Sequence, residues 1–276
     1  MLEAASRAKV SLDARAAFVN DFIISRINED GGFKDRAGRS DLYYTVFGVE
    51  ALLASAGSPI PRDKIISYLA QFEQGQSLDF VHLVSLVRCW ADLSCPVKMD
   101  IRDTITRRIE NHLMEHTTIY TCFLALCACQ DLGVDINDKG IFLDCINSLH
   151  MTDGGYANEP GIKISATPVT AAAVAILNYL NEPVPDSATD WLFSCIRNEG
   201  GFGVMSQAAT ADLLSTATAL HALSVTGTPL VNIKQQCLDF IDGLWNSSGG
   251  FCGSSADRTP DCEYTYYALL SLGHLS

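Results

Sequence analysis

RSDLYYTVFGVEALLASAG, residues 39–57, sets an aspartate four positions ahead of a threonine and then runs apolar to a glycine. PDCEYTYYALLSLG, residues 260–273, has the same outline, with Asp261 ahead of Thr265. One phrase written at both ends of a chain points to an internal repeat. Working outward from the pair, Gly-Gly followed by an aromatic occurs at Gly31-Gly32-Phe33, Gly154-Gly155-Tyr156, Gly200-Gly201-Phe202 and Gly249-Gly250-Phe251. The apolar segments that follow align on a threonine column, Thr45, Thr121, Thr170, Thr216 and Thr265, with Leu83 in the remaining slot. Four residues ahead runs an acidic column, Asp41, Asp79, Asp212 and Asp261, with Thr117 and Ala166 as exceptions. Successive units step by 38, 38, 49, 46 and 49 residues, so six units fill the chain.

Each unit reads as two helices. The first is amphipathic with period 3.6, as in AAFVNDFIISRI and KGIFLDCINSLH, and buries one stripe. The second is apolar nearly all round, as in TPVTAAAVAILNYL, and needs burial on most sides. Gly-Gly is expected to cap the first helix in the left-handed conformation, with the aromatic plugging the gap between neighbouring hairpins. A lone hairpin cannot cover its apolar helix, so neighbours must stack. An open stack needs polar end caps, yet the last helix, CEYTYYALLSLGHLS, is as apolar as the middle ones. The expected fold is therefore all-α: a closed α/α toroid of six inner and six outer helices, one domain over residues 1–276.

The bulk properties narrow the function. A net charge of −13 disfavours nucleic acid as a partner. The apolar runs are too short to span a bilayer, and the opening MLEAASRAKVSLDARAAF has no apolar signal core, so a cytoplasmic protein is expected. The ten cysteines contain no C-x-x-C pair and read as buried structural thiols.

Gly-Gly-Phe, a loop, Asp-x-x-Tyr-Thr and then Ala-Leu-Leu-x-Leu-Gly resembles the repeat shared by protein prenyltransferase β subunits and squalene or diterpene cyclases. Short bacterial proteins carrying this repeat alone look most similar, and the resemblance covers all six units. It implies an apolar central cavity suited to an isoprenoid or other hydrophobic small molecule. In the prenyltransferases an Asp-x-Cys pair and a His on the next inner helix hold zinc, while a basic loop holds the prenyl diphosphate. In the matching fifth and sixth repeats this chain has Asp212, Leu214 in the Cys slot and Tyr264 in the His slot, and the loop before Asp212 has no Arg or Lys. A ring has no unique start, so the first two repeats can take those roles. There Lys34, Arg36 and Arg39 resemble the diphosphate loop, Asp41 matches the zinc Asp, Tyr43 stands in the Cys slot beside Tyr44, and His82 matches the zinc His. No cofactor is expected; zinc or magnesium are the ions these side chains could otherwise take.

Resemblance to the cyclases points to the sixth repeat. Their Asp-x-Asp-Asp-Thr proton donor corresponds to Asp261-Cys262-Glu263-Tyr264-Thr265, with Glu263 in the donor's place. A carboxyl group at the rim of an apolar cavity has its pKa raised by desolvation, and aromatic walls attract developing positive charge. Against this, an Asp before a helix is also an ordinary N-cap. Glu263 escapes that explanation, because its slot in the other units holds Tyr43, Val81, Ile119, Pro168 and Leu214. The candidate catalytic residues are thus Glu263, Asp261, Asp41 and His82. The candidate substrate-binding residues are Arg36, Arg39, Tyr43, Tyr44, Tyr264 and Tyr267. The expected activity, if the chain is catalytic, is prenyltransferase- or terpene-cyclase-like. The competing class is a non-catalytic lipid-binding or scaffold module, and a helical protein partner is a further expectation. In a closed ring the first and sixth units are neighbours, so the two phrases would flank one seam.

Overall fold

The acidic column marks helix starts. A carboxylate oxygen of Asp41 accepts the Tyr44 N–H at 3.0 Å, Asp79 that of His82 at 2.9 Å, Asp212 that of Ser215 at 2.8 Å and Asp261 that of Tyr264 at 2.8 Å. Each satisfies an N–H that a first helical turn leaves free. In the third unit the cap is Thr118, one residue beyond the expected Thr117, in a reciprocal capping box with Thr121. Ala166 caps its helix with no side-chain bond.

The computed structural model describes residues 1–55, 59–136 and 138–276; Gly57, the end of the first phrase, lies outside them. In chain order the helices are α1 (Leu2–Ser6), α2 (Lys9–Leu12), α3 (Ala16–Ser25), α4 (Leu42–Ser55), α5 (Arg62–Ala70), α6 (Phe80–Asp92) and α7 (Met99–Glu115). They continue as α8 (Ile119–Leu132), α9 (Gly140–Leu149), α10 (Thr167–Tyr179), α11 (Asp186–Ser194), α12 (Leu213–Val225), α13 (Lys234–Gly243) and α14 (Cys262–His274). A small antiparallel pair, β1 (Phe33–Lys34) with β2 (Ser40–Asp41), leads into α4. The even-numbered helices from α4 to α14 each pack on the next, and α14 packs back on α4. This is a closed inner ring, with the odd-numbered helices from α3 to α13 outside it. Helix α1 lies across α14 and α4, so close that a Cβ on Gly273 would run into the Ala4 carbonyl. Among the described residues no helix is long and apolar enough to cross a membrane, and all ten cysteines are free thiols.

The Gly-Gly pair does not cap the outer helix as the sequence suggests. Helix α13 ends at Gly243, and Gly249, with φ of 99°, sits in a tight turn closed by Asn246 N–H to Gly250 O at 2.9 Å. The glycine is needed for close approach: a Cβ on Gly249 would strike the Phe18 carbonyl of α3, the outer helix of the next unit round the ring. Gly31, Gly154 and Gly200 meet carbonyls of α5, α11 and α13 in the same way. The pair is therefore the joint between units, and its last copy joins the sixth unit to the first.

The threonine column holds that joint to the inner ring. Thr45, Thr170, Thr216 and Thr265 accept, through Oγ1, the N–H of Phe33, Tyr156, Phe202 and Phe251 at 2.9–3.1 Å. All four aromatics are buried. The second and third units lack Gly-Gly and this tie: in the second Leu83 replaces the threonine and Arg108 of α7 grips the Gly75 and Leu78 carbonyls at 2.7 and 2.9 Å, and in the third Thr121 Oγ1 accepts the Thr118 N–H of its own cap at 2.9 Å.

Candidate functional site

All six inner helices begin at one end of the barrel, which forms a mouth. Behind it lies a cavity of about 400 Å³. Its wall is largely apolar and rich in rings, with Tyr43, Phe47, Tyr120, Phe123, Tyr266 and Tyr267 among its lining. Phe47 ties the two phrases together, lying 4.9 Å from Tyr43 and 5.4 Å from Tyr267 between ring centroids.

At the mouth the seam between the sixth and first units collects most of the candidate residues. Arg36 meets Asp257 at 2.7 Å and Asp261 at 2.9 Å, and its guanidinium stands 5.2 Å from the centre of the Tyr264 ring. Burial pushes the Asp261 carboxyl up, against the Tyr264 N–H and Arg36. The Tyr43 hydroxyl donates to Glu263 Oε1 at 2.7 Å. Burial also raises Glu263, and that hydrogen bond opposes the rise. Burial, then Asp261 and Glu263, push Tyr44 up to about 12.

The next seam holds His82. Its Nδ1 lies 2.7 Å from Asp79 and its Nε2 3.3 Å from Asp41. Burial works against a charge there, but the hydrogen bonds to Asp79 and Asp41 prevail and raise the imidazole above its ordinary value. When doubly protonated, the ring donates to both carboxylates. Arg39 joins neither group. It is exposed and paired with Asp35 of its own loop at 3.2 Å, because the tight turn at Gly38 points it back along the loop.

Sequence reasoning singled out Glu263 at the mouth and missed the opposite end of the barrel. Glu50 on α4 and Arg88 on α6 are inner-helix charges as well, and they are deeper. Arg88 bonds Glu50 at 3.0 Å and Asp131 of α8 at 2.6 Å. Beside them burial, then Glu50, push the Asp92 carboxyl up to about 8. His221 Nδ1 and His274 Nε2 stand 3.0 Å apart. Burial, then His274, hold His221 down at about 3, and burial holds His274 at about 4, so the pair is neutral. The signal in the sequence was a single charge inside an apolar helix, as in GVEALL and LVRCW.

With this geometry in view, comparison with known proteins gives two matches. The family model described as "Prenyltransferase alpha-alpha toroid domain" matches residues 7–86, 100–187 and 180–276. The geranylgeranyl transferase type-2 subunit beta of Candida albicans is 25% identical over 147 residues, which are 50% of this chain and 42% of that protein. The chain thus spans under half the length of this curated relative.

Proposed function

Because the chain belongs to the prenyltransferase alpha-alpha toroid family, we propose that its central cavity holds an isoprenoid or other long hydrocarbon chain, in a prenyltransferase- or terpene-cyclase-like protein. One observation carries this reading: a cavity of about 400 Å³, walled mostly by rings and apolar side chains with Glu50, Arg88 and His221 also in its lining, that reaches the first turns of the inner helices at Tyr43, Tyr120 and Leu214. Pockets of that size and lining suit apolar ligands.

Zinc does not fit the residues at the matching positions. Leu214 offers no ligand atom, and Tyr264 lies beneath Arg36. In the first two repeats the Tyr43 hydroxyl proton is given to Glu263 and both His82 nitrogens face carboxylates. Among the described residues no thiolate stands beside them, and a metal would have to break these contacts to gain a nitrogen ligand. No step of the proposal is routed through one. Glu263 accepts a hydrogen bond from a phenol, as an ionised carboxylate does. Its role in this reading is to stabilise positive charge at the mouth, with the tyrosine faces beside it.

A second reading, lipid binding or protein interaction without catalysis, is favoured by the mutual pairing of Arg36, Asp257 and Asp261, which leaves those groups little to do for a substrate. The relative is named as a β subunit, and a partner chain belongs to this second reading. Native mass spectrometry of the purified protein tests the shared premise. A retained hydrocarbon ligand is expected, and Ala172→Trp, which fills the cavity wall, should abolish it. Absence of any ligand, with no binding of added prenyl alcohols, would sink the catalytic and lipid-binding readings and leave protein interaction. Turnover of a prenyl substrate that is lost in Glu263→Gln would decide for catalysis.

A further inference from the structure

The mouth of this cavity has cations, yet each is already held by the protein. Lys34 Nζ donates to the Ser25 carbonyl at 3.0 Å. Arg36 is shared by Asp257 and Asp261, Arg39 is on Asp35, and His82 lies between Asp79 and Asp41. An anionic head group would have to compete with the carboxylates already paired to these three side chains, in a chain whose net charge is −13. Glu263 differs from Asp41, Asp257 and Asp261 at these two seams: the hydrogen bond it accepts comes from an uncharged side chain, Tyr43.

Around Glu263 stand aromatic rings. Tyr43, Tyr120 and Tyr267 line the cavity, and the Glu263 charge acts on the phenols of all three. A carboxylate bonded to a tyrosine that lines an apolar, ring-rich chamber is complementary to a positive group on a hydrocarbon chain. The same seam already holds a cation on a ring, since Arg36 stands over Tyr264 at 5.2 Å.

We propose that the mouth recognises an ammonium head group, with Glu263 supplying the charge and Tyr43, Tyr120 and Tyr267 the ring faces, while the attached alkyl chain fills the cavity. This rests on the reading of the cavity as a hydrocarbon site and names the class of ligand that enters it: an alkylammonium amphiphile rather than an alkyl phosphate or diphosphate. Binding needs no covalent step.

Calorimetric titration of the whole chain with dodecyltrimethylammonium, dodecanol and dodecyl phosphate, each below its micelle concentration, tests the assignment. The ammonium should bind about tenfold tighter than the alcohol, and the phosphate more weakly than the alcohol. Glu263→Gln should remove the advantage of the ammonium while leaving alcohol binding, which also reports that the variant is folded. Tyr120 is 42% exposed, so Tyr120→Leu should fold normally and lose part of the ammonium preference. Phosphate binding as tight as ammonium, or an unchanged preference in Glu263→Gln, would overturn the proposal while leaving the hydrocarbon site standing. Failure of all three probes to bind would remove both.

Discussion

An arginine gripped by two carboxylates sits at each end of the barrel, and the two clamps differ chiefly in their surroundings. At the mouth, Arg36 holds Asp257 and Asp261 with its side chain 40% exposed. At the far end, Arg88 holds Glu50 and Asp131 with its side chain 20% exposed and Glu50 only 4% exposed. The bonds are of similar length, between 2.6 and 3.0 Å, so length does not separate them. Solvent does. At the mouth water reaches Arg36 and Asp257 and screens their attraction, while the buried Asp261 has the Tyr264 N–H as a second partner. At the far end Glu50 is 4% exposed and Asp131 14%, and both accept hydrogen bonds from Arg88, so removal of the cation leaves poorly solvated charge behind.

The largest expected effect follows from that contrast. Arg88→Met should cost about 3–5 kcal/mol in urea unfolding, the range seen when one partner of a buried ion pair is removed. Adding Glu50→Gln and Asp131→Asn should restore much of the loss, because the unpaired charges go with it. A cost for Arg88→Met no greater than that of the equivalent change at Arg36 would break the comparison.

The two clamps also differ in how far the sequence discloses them. Arg36 lies in the loop between Gly-Gly-Phe and Asp41, and the repeat makes that loop stand out. Ring closure then brings it to Asp261, and both steps are readable from the columns and the apolar last helix. Arg88, Glu50 and Asp131 are 38 and 43 residues apart in pairs. Their meeting depends on how three inner helices are staggered, which periodicity does not report. An apolar pattern absorbs a single charge without comment, so Glu50 looked incidental. The Gly-Gly pair shows the reverse case. Its position was plain, but its purpose was misread, because the carbonyl it must clear belongs to another unit. Thr45 and its three counterparts likewise bond an N–H that precedes them by 12 or 14 residues. The sequence marks that column, and the bond becomes visible when the turn is seen in place.

A smaller effect sharpens the contrast through pH. Burial, then Glu50, raise Asp92 from 3.8 to about 8. A carboxyl group raised in the folded state contributes stability that is fully present below the unfolded pKa and is lost as pH rises through the folded one. The loss for Asp92 therefore runs from about pH 4 to about pH 8. Asp92→Asn should melt like the parent at pH 4 and be more stable than it at pH 9. Thermal melts across that range read the difference directly. Equal pH dependence in the two proteins would mean that water reaches the far end of the barrel as freely as the mouth, and the contrast between the clamps would fail.

The smallest effects lie at the mouth itself and separate two arginines that the sequence places together. Arg36→Ala removes a half-exposed cation from Asp257 and from Asp261, which is 1% exposed. Asp261 keeps its bond from the Tyr44-equivalent position of its own helix, the Tyr264 N–H at 2.8 Å, so the cost should be about 1 kcal/mol. Part of it is Coulombic attraction at a wet surface, so the difference between parent and variant should shrink as salt is raised. Arg39→Ala removes an 82% exposed side chain from a pair within its own loop, and stability should stay within about 0.5 kcal/mol of the parent at any salt. The loop's basic character is shared by both residues, but only Arg36 crosses the seam between the last unit and the first. Equal costs for the two variants would show that the seam is held by Gly249 and the packing of α14 on α4 alone, with the mouth clamp contributing charge to the site and nothing to closure of the ring.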